Sequence, residues 1–402
     1  MLDQRLFITR HRSAVVVFPV DAMEHYTSFL RLFFIALCLL CTTLVLLSLH
    51  GYYSHQDNYH SQTLTSVSSA ARNSTGIKVL FWTTTHGLWY WPLSKSAQGL
   101  VRLDGCNVPC SVTRDRSLIR SADAIVFHDR DADASDLPSY RHERQRWVYW
   151  NMEPPPNSRP DRMARLRGVF NWTYTYRHDS DVHHPYFSFV NQSVQGATTS
   201  STRRSAPSVR TNRSKLAAWV SSNCHTQSHR EDFVAELRKH AAVDVYGRCG
   251  DLKCPTDPPC QATFGKTYYF YLAFENSQCR EYATEKFYDA LRLNLVPVVL
   301  GNYVNVSAPP NSYIDAFQFP TPAHLASYLK AVAANATLYE RYFAWKRTHA
   351  VVKNRFDDHC ALCQALHTAR PGERKLYADI VRWWHGDHGS ACAHRWNGET
   401  RS

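Results

Sequence analysis

The chain lacks the spacings that mark nucleic-acid modules. It has no zinc-finger pattern and no RNP motif, so its basic character needs a different anionic partner. Acidic residues are the scarcer charge: 34 Asp and Glu stand against 46 Lys and Arg, a formal net charge of +12. That balance suits phosphorylated ligands or acidic lipid. No internal repeat is visible. With 44% hydrophobic and 20% charged residues among 402, the composition is globular, and the length suggests two domains.

Lys and Arg are also missing from one long stretch. The uncharged run 32–49, LFFIALCLLCTTLVLLSL, meets the minimum length for a membrane-spanning helix. Arg5, Arg10, Arg12 and Arg31 precede it, and no Lys or Arg follows until Arg72. The positive-inside rule then puts the N-terminus in the cytosol and the bulk of the chain across the membrane. A long polar tail ahead of the run and no small-residue cleavage pattern weigh against a cleaved signal peptide. The expected order is a cytoplasmic tail (1–31), a signal anchor (32–49) and a Ser/Thr-rich flexible stem (50–75).

Two features support a luminal main body. Asn73, Asn171, Asn191, Asn212, Asn305 and Asn335 each open an N-x-[ST] sequon. Ten of the 12 cysteines follow the apolar run, an even set that reads as disulfides in an oxidising compartment.

Apolar strands ending in polar tips recur along the body. They include "IKVLFWTTT", "SADAIVFHDRD" and "RQRWVYWNMEPPP"; in the last, Pro154, Pro155 and Pro156 stop the strand at Glu153. The polar, Arg-rich stretch 195–214 reads as a connection between domains. Beyond it come the strand "KLAAWVSSN", a helix from His229 with Phe233, Val234 and Leu237 on one face, and "VDVYGRCG", a strand with a glycine turn. Strand, polar tip and helix on both sides of 195–214 predict two parallel α/β domains with ligands at the carboxyl ends of the strands.

The richest segment is "FENSQCREYATEKFYDALRLNLVPVVLG". Thr284 is a candidate N-cap, Phe287, Ala290 and Leu291 share a helical face, and Lys286 sits in the first turn. A helix mouth with a lysine suits a phosphate, and Glu285 suits sugar hydroxyls. The plainer alternative is a capped, solvated surface helix. Asp129–Asp131 and Asp179–Asp181 each form Asp-x-Asp, a short and common pattern that holds a divalent cation in some glycosyltransferases. His183–His184 has no companion cysteines at zinc spacing. Cys360-x-x-Cys363 reads as structural in a secretory lumen, with redox and zinc roles as the alternatives.

The segment "FENS…EYATEKF…VPVVLG" resembles the donor-binding signature of the α1,3-fucosyltransferases, glycosyltransferase family ten. "RWVYWNMEPPP", "NWTYTYRHDSDVHHPY", "KLAAWVSSNC…R" and "DHCALC" resemble further family segments in the same order, over roughly 76–365. The resemblance implies a GT-B fold: an N-terminal Rossmann-like acceptor domain (76–194), a linker (195–214), a GDP-fucose-binding domain (215–355) and a C-terminal extension with the Cys-x-x-Cys (356–402). It implies inverting transfer of fucose from GDP-fucose to a GlcNAc hydroxyl of a glycan, on glycoprotein or glycolipid, at the Golgi membrane. No cofactor is obligatory; a divalent cation is at most stimulatory.

On that resemblance Glu153 is the catalytic base, in its acceptor-domain position. Arg230 and Lys286 meet the diphosphate, and Asn276, Tyr282 and Glu285 orient phosphate, ribose or fucose. Some relatives bridge the Cys-x-x-Cys to the first domain, which makes Cys106 and Cys110 partners for Cys360 and Cys363; local loops within each pair are the alternative. Glu281 stands where the family commonly has Asp, and the stretch after Cys363 has no evident family counterpart. Two other readings compete: a metal-dependent GT-A transferase using Asp179 and Asp181, and an inactive membrane-anchored glycan-binding protein.

Overall fold

A computed structural model describes residues 8–11, 14–17, 76–87, 99–192, 212–255, 260–301, 307–354, 359–369 and 375–392. Near the N-terminus β1 (Ile8–His11) and β2 (Ala14–Val17) pair antiparallel. No helix among the described residues is long and apolar enough to cross a membrane. The run 32–49, the stem 50–75, most of 195–214, Asn73 and Asn305 lie outside the described residues.

Among the described residues the main body holds two large sheets and a two-stranded one. In the first, β3 (Ile77–Phe81), β4 (Val101–Arg102), β5 (Cys110–Thr113), β6 (Ala124–His128), β7 (Arg146–Asn151), β8 (Trp172–Thr175) and β9 (Val182–His183) run in the order β4-β5-β3-β6-β7-β8-β9. Every pairing is parallel except β4 with β5. Every residue of β6, β7 and β8 is buried, as strands covered on both faces must be.

After β10 (Phe187–Asn191) comes the second sheet. It is built from β11 (Lys215–Val220), β12 (Val243–Tyr246), β13 (Tyr268–Leu272), β14 (Val296–Val299) and β15 (Ile314–Asp315), all parallel, in the order β12-β11-β13-β14-β15. The helix Arg230–Arg238 buries the expected Phe233, Val234 and Leu237. Gly247 makes the turn after β12 at φ +89°, where an added Cβ would lie 2.5 Å from the Ser221 carbonyl. Finally β16 (His349–Lys353) pairs antiparallel with β10, tying the chain beyond the second sheet to the chain beyond the first.

The two halves differ in how their strands are connected. Full helices follow strands in the second sheet. In the first, the connections among the described residues hold only 3-10 turns (Arg116–Ser121, Ala134–Asp136, Pro155–Asn157) and the one-turn helix Pro160–Ala164. Among the described residues the expected full helices are missing there because the connections are short or proline-broken. The cover comes from the far end of the chain. Helices Cys360–Thr368 and Ile380–His385 bury Leu362, Cys363, Ile380 and Trp384. One apolar core then runs from Phe127 and Tyr149 through Trp384 to Phe287 and Leu291, while Trp219, Phe270, Val298 and Leu329 fill a second.

Five disulfides join all ten cysteines of the main body. Cys106–Cys360 and Cys110–Cys363 pin the helix Cys360–Thr368 to the first sheet, in place of the local loops. The others are Cys224–Cys249, Cys254–Cys260 and Cys279–Cys392.

Candidate functional site

The first half of the site is the turn after β7. That strand ends at Asn151, two residues before Glu153, because the Asn151 side chain takes over the bonding: its Oδ1 accepts from the Glu153 amide at 2.9 Å. The 3-10 turn Pro155–Asn157 follows, and Asn157 Nδ2 donates to Glu153 Oε2 at 2.6 Å. Glu153 is thus a half-buried carboxylate with a fixed backbone and one oxygen already bonded.

Beside it lies the loop after β3. Asp131 accepts from the amides of His86 and Gly87, from the Thr84 hydroxyl, and lies 2.6 Å from His128 Nδ1. Burial would raise its pKa, but these bonds hold it well below the usual carboxylate range. The clamp sets His86 at φ 53° with its ring 4.9 Å from that of His128. Burial and His128 keep the His86 pKa low, against the pull of Glu153 and Asp131.

The second half is the mouth of the helix Glu285–Arg292. Thr284 caps it as expected, and Phe287, Ala290 and Leu291 are buried. Behind the mouth sits Glu275, buried, accepting from the Thr284 amide and hydroxyl at 2.8 Å each. Lys286 Nζ reaches Thr284 Oγ1 at 2.8 Å and the carboxylates of Glu275 and Glu285 at 3.0 Å each. Burial lowers the Lys286 pKa, but the two carboxylates outweigh it and hold the ammonium charged. Burial likewise opposes the charge on Glu285, and Lys286 wins there too. Glu275 was not among the residues given a role from the sequence, although it lies in the FENS stretch of the donor-binding resemblance.

Arg230 is 3% exposed and ties together the turns that follow β11 and β13. Its guanidinium donates to the carbonyls of Phe274 and Asn223 and to Ser221 Oγ, while Nε has no partner. The surface position that a helix-start arginine would ordinarily take is therefore not what it has. Asn276 holds the loop through its carbonyl, which accepts from Ser228 N, and its buried Oδ1 has no partner. Glu281 sits at φ 63° and accepts from the His178 amide at 2.7 Å.

Tyr282 joins the two halves. Its ring lies 5.1 Å from Tyr176 and 6.1 Å from Tyr186. Tyr186 OH donates to the Met152 carbonyl, next to Glu153, at 2.6 Å. Burial first, then Glu153, Glu285 and Glu275, push the Tyr186 phenol well up. The Tyr186–Tyr282 contact therefore links the Met152 carbonyl, next to Glu153, to the loop that runs into Thr284 and the helix mouth. Nearby, Tyr176, His178, His183, Phe187, Glu281 and Ala283 are among the residues that enclose a cavity of about 210 Å³. Aromatic walls with a few polar groups are the composition of a small-molecule site.

Both Asp-x-Asp pairs have internal partners. Asp129 accepts from Tyr149 OH at 3.1 Å. Asp179 binds Arg177 and Arg280; Asp181 takes the Thr173 amide and Tyr377 OH at 2.8 Å each and Lys375 Nζ at 2.5 Å. Among the described residues no group of three His, Cys, Asp or Glu is placed to hold a metal ion. His183 lies in the cavity wall with its ring 4.1 Å from His178; His184 is buried 5.1 Å from Tyr174. Of the sequons, Asn191, Asn212 and Asn335 are exposed. Asn171 uses its side-chain amide internally, accepting from Trp147 N and Arg141 and donating to the Lys375 carbonyl.

Residues 76–187 match "Fucosyltransferase, N-terminal", and residues 210–383 match "Glycosyltransferase family 10 (fucosyltransferase) C-term". The chain is 35% identical to alpha-(1,3)-fucosyltransferase C of Drosophila melanogaster, over 76% of this chain and 77% of that one. It is 36% identical to alpha-(1,3)-fucosyltransferase 7 of Bos taurus, over 75% and 86%. A crystal structure of an α1,3-fucosyltransferase with GDP-fucose is similar over 76% of this chain and 95% of that one, at TM-score 0.47 and 13% identity.

Proposed function

The chain belongs to the glycosyltransferase family 10 fucosyltransferases, and on that premise we propose that it is an inverting α1,3-fucosyltransferase of GT-B architecture. Its donor is GDP-fucose. Its acceptor is a GlcNAc hydroxyl in an N-acetyllactosamine antenna or an N-glycan core, on glycoprotein or glycolipid. It is held as a single-pass type II protein of the Golgi membrane by 32–49, with the body luminal; the charge asymmetry around that run and the paired cysteines support this placement.

The observation that carries the reading is the Tyr186–Tyr282 contact, which ties the turn of Glu153 to the loop that enters the mouth of Glu285–Arg292. Glu153 is the base. It takes the acceptor hydroxyl's proton as the oxygen bonds to C1 of fucose from the face opposite GDP. The C1–O bond to the diphosphate breaks, and its electron pair leaves with GDP. Lys286 and the amides of the capped helix mouth stabilise the charge that develops there. Glu285, half-exposed, takes sugar or ribose hydroxyls. Tyr282 and Asn276 shape the donor side, and Arg230 holds the turns after β11 and β13 under it.

The test incubates the full chain, made in a secretory host, with GDP-fucose, EDTA and a panel of lactosamine and N-glycan acceptors. The reading expects product with fucose on O3 of GlcNAc. GDP binding without transfer to any acceptor would favour the glycan-binding alternative.

A further inference from the structure

The C-terminal segment touches both halves of the site. At one end the buried Trp384 donates from Nε1 to Ser158 Oγ at 2.8 Å. The same Oγ accepts from Asn151 Nδ2 at 3.2 Å, and Asn151 Oδ1 accepts the Glu153 amide at 2.9 Å. Asn157, adjacent to Ser158, holds the Glu153 carboxylate. Asn151 also donates to Tyr149 OH at 3.3 Å, and Tyr149 donates to Asp129. Three hydrogen bonds therefore lead from an indole near the end of the chain to the backbone of the base. In a buried, low-dielectric network each one counts for more than at the surface.

At the other end, Ala391 accepts from the Arg280 amide at 2.9 Å, and Cys392 is disulfide-bonded to Cys279. These two attachments begin the loop that carries Tyr282 and Thr284. A second path closes the frame. The carbonyls of Trp383 and Trp384 accept from Arg177 at 2.9 and 3.2 Å; Arg177 pairs with Asp179, and Arg280 binds the same carboxylate at 2.7 Å.

We propose that residues 375–392 are a brace that fixes the Glu153 turn relative to the donor loop, with Trp384 the positioning residue for the base. The inference rests on Glu153 being the base. The first sheet explains why such a brace exists. Its short crossovers leave a face that the C-terminal helices cover, so the segment that covers it also reaches the site.

Trp384→Phe keeps an aromatic ring and removes the N–H; Ser158→Ala removes its acceptor and leaves the indole. Each should lower kcat about tenfold, the scale of one lost buried hydrogen bond, with the GDP-fucose KM within about twofold. Amide exchange should quicken in peptides covering 151–158. Cys279→Ser with Cys392→Ser should instead quicken exchange in 276–283 and raise the GDP-fucose KM. Parent values of kcat and of 151–158 exchange in Ser158→Ala would overturn the proposal, and that variant decides if Trp384→Phe fails to bind GDP. A general rise in exchange with loss of GDP binding in both would also overturn it, as a merely structural role. If the parent itself transfers no fucose, the reading of the reaction falls, and exchange in 151–158 and 276–283 still decides the brace.

Discussion

Lys286 Nζ lies 3.0 Å from the Glu275 carboxylate and 3.0 Å from that of Glu285, with Thr284 Oγ1 at 2.8 Å. An ammonium has three protons, and all three have acceptors. The two carboxylates are not equivalent. Glu275 is buried and locked by Thr284, whereas the Glu285 side chain is 46% exposed and free to turn aside for an incoming phosphate. Lys286→Met should therefore weaken GDP binding about ten- to hundredfold, the range of a charge-assisted hydrogen bond. Glu275→Gln should reduce stability by about 1–3 kcal/mol as well, because the Lys286 charge loses its buried partner. Calorimetric titration with GDP and denaturant unfolding measure the two effects.

Stability should depend on pH through His183. Burial and the neighbouring His178 lower its pKa from 6.5 to about 4, against the opposite pull of Glu281 and of a backbone bond with Tyr176. The native state thus favours the neutral ring, and the unfolded chain binds the proton first. The contribution is complete above about pH 6.5 and is lost as pH falls toward 4. Thermal unfolding across that window should show a steeper fall for the parent than for His183→Gln.

Cys106–Cys360 and Cys110–Cys363 close sequence separations of 254 and 253 residues. Replacing one bridge with serines should cost about 2–5 kcal/mol of stability. Non-reducing peptide mapping should recover these two pairs and Cys279–Cys392; Cys360–Cys363 as a local loop would contradict the arrangement.

Asp179 and Asp181 should act as structural anchors. Asp181→Asn weakens the hold on Lys375, Thr173 and Tyr377, so the melting temperature should drop. Turnover by the parent in EDTA should stay within about twofold of turnover with added Mg²⁺, an expectation set by carboxylates already bound to cations and hydroxyls.

The parts of this protein that could be read from sequence are those whose cause is local. β11, the helix Arg230–Arg238 and the capped helix Glu285–Arg292 follow from apolar spacing and the Thr284 hydroxyl, all within a few residues. The end of β7 was displaced by two residues because Asn151 bonds the backbone ahead of it, a competition that apolar pattern does not register. Burial of Arg230 depends on Ser221 and Phe274, contributed by the turns after β11 and β13. Trp384 meets Ser158 across 226 residues, and Cys392 meets Cys279 across 113. No spacing rule reaches that far, so the extension had no legible purpose until the sheet it covers was in view.

The central claim is that Glu153 takes the acceptor proton, and Glu153→Gln tests it most directly. The amide is nearly the same size and can stay in reach of Asn157, but it accepts no proton. Fucosyl transfer should fall by about 10²–10⁴-fold, the usual contribution of a general base, while GDP binds as tightly as in the parent. Transfer by the variant at the parent rate would contradict the account and remove Glu153 from the chemistry.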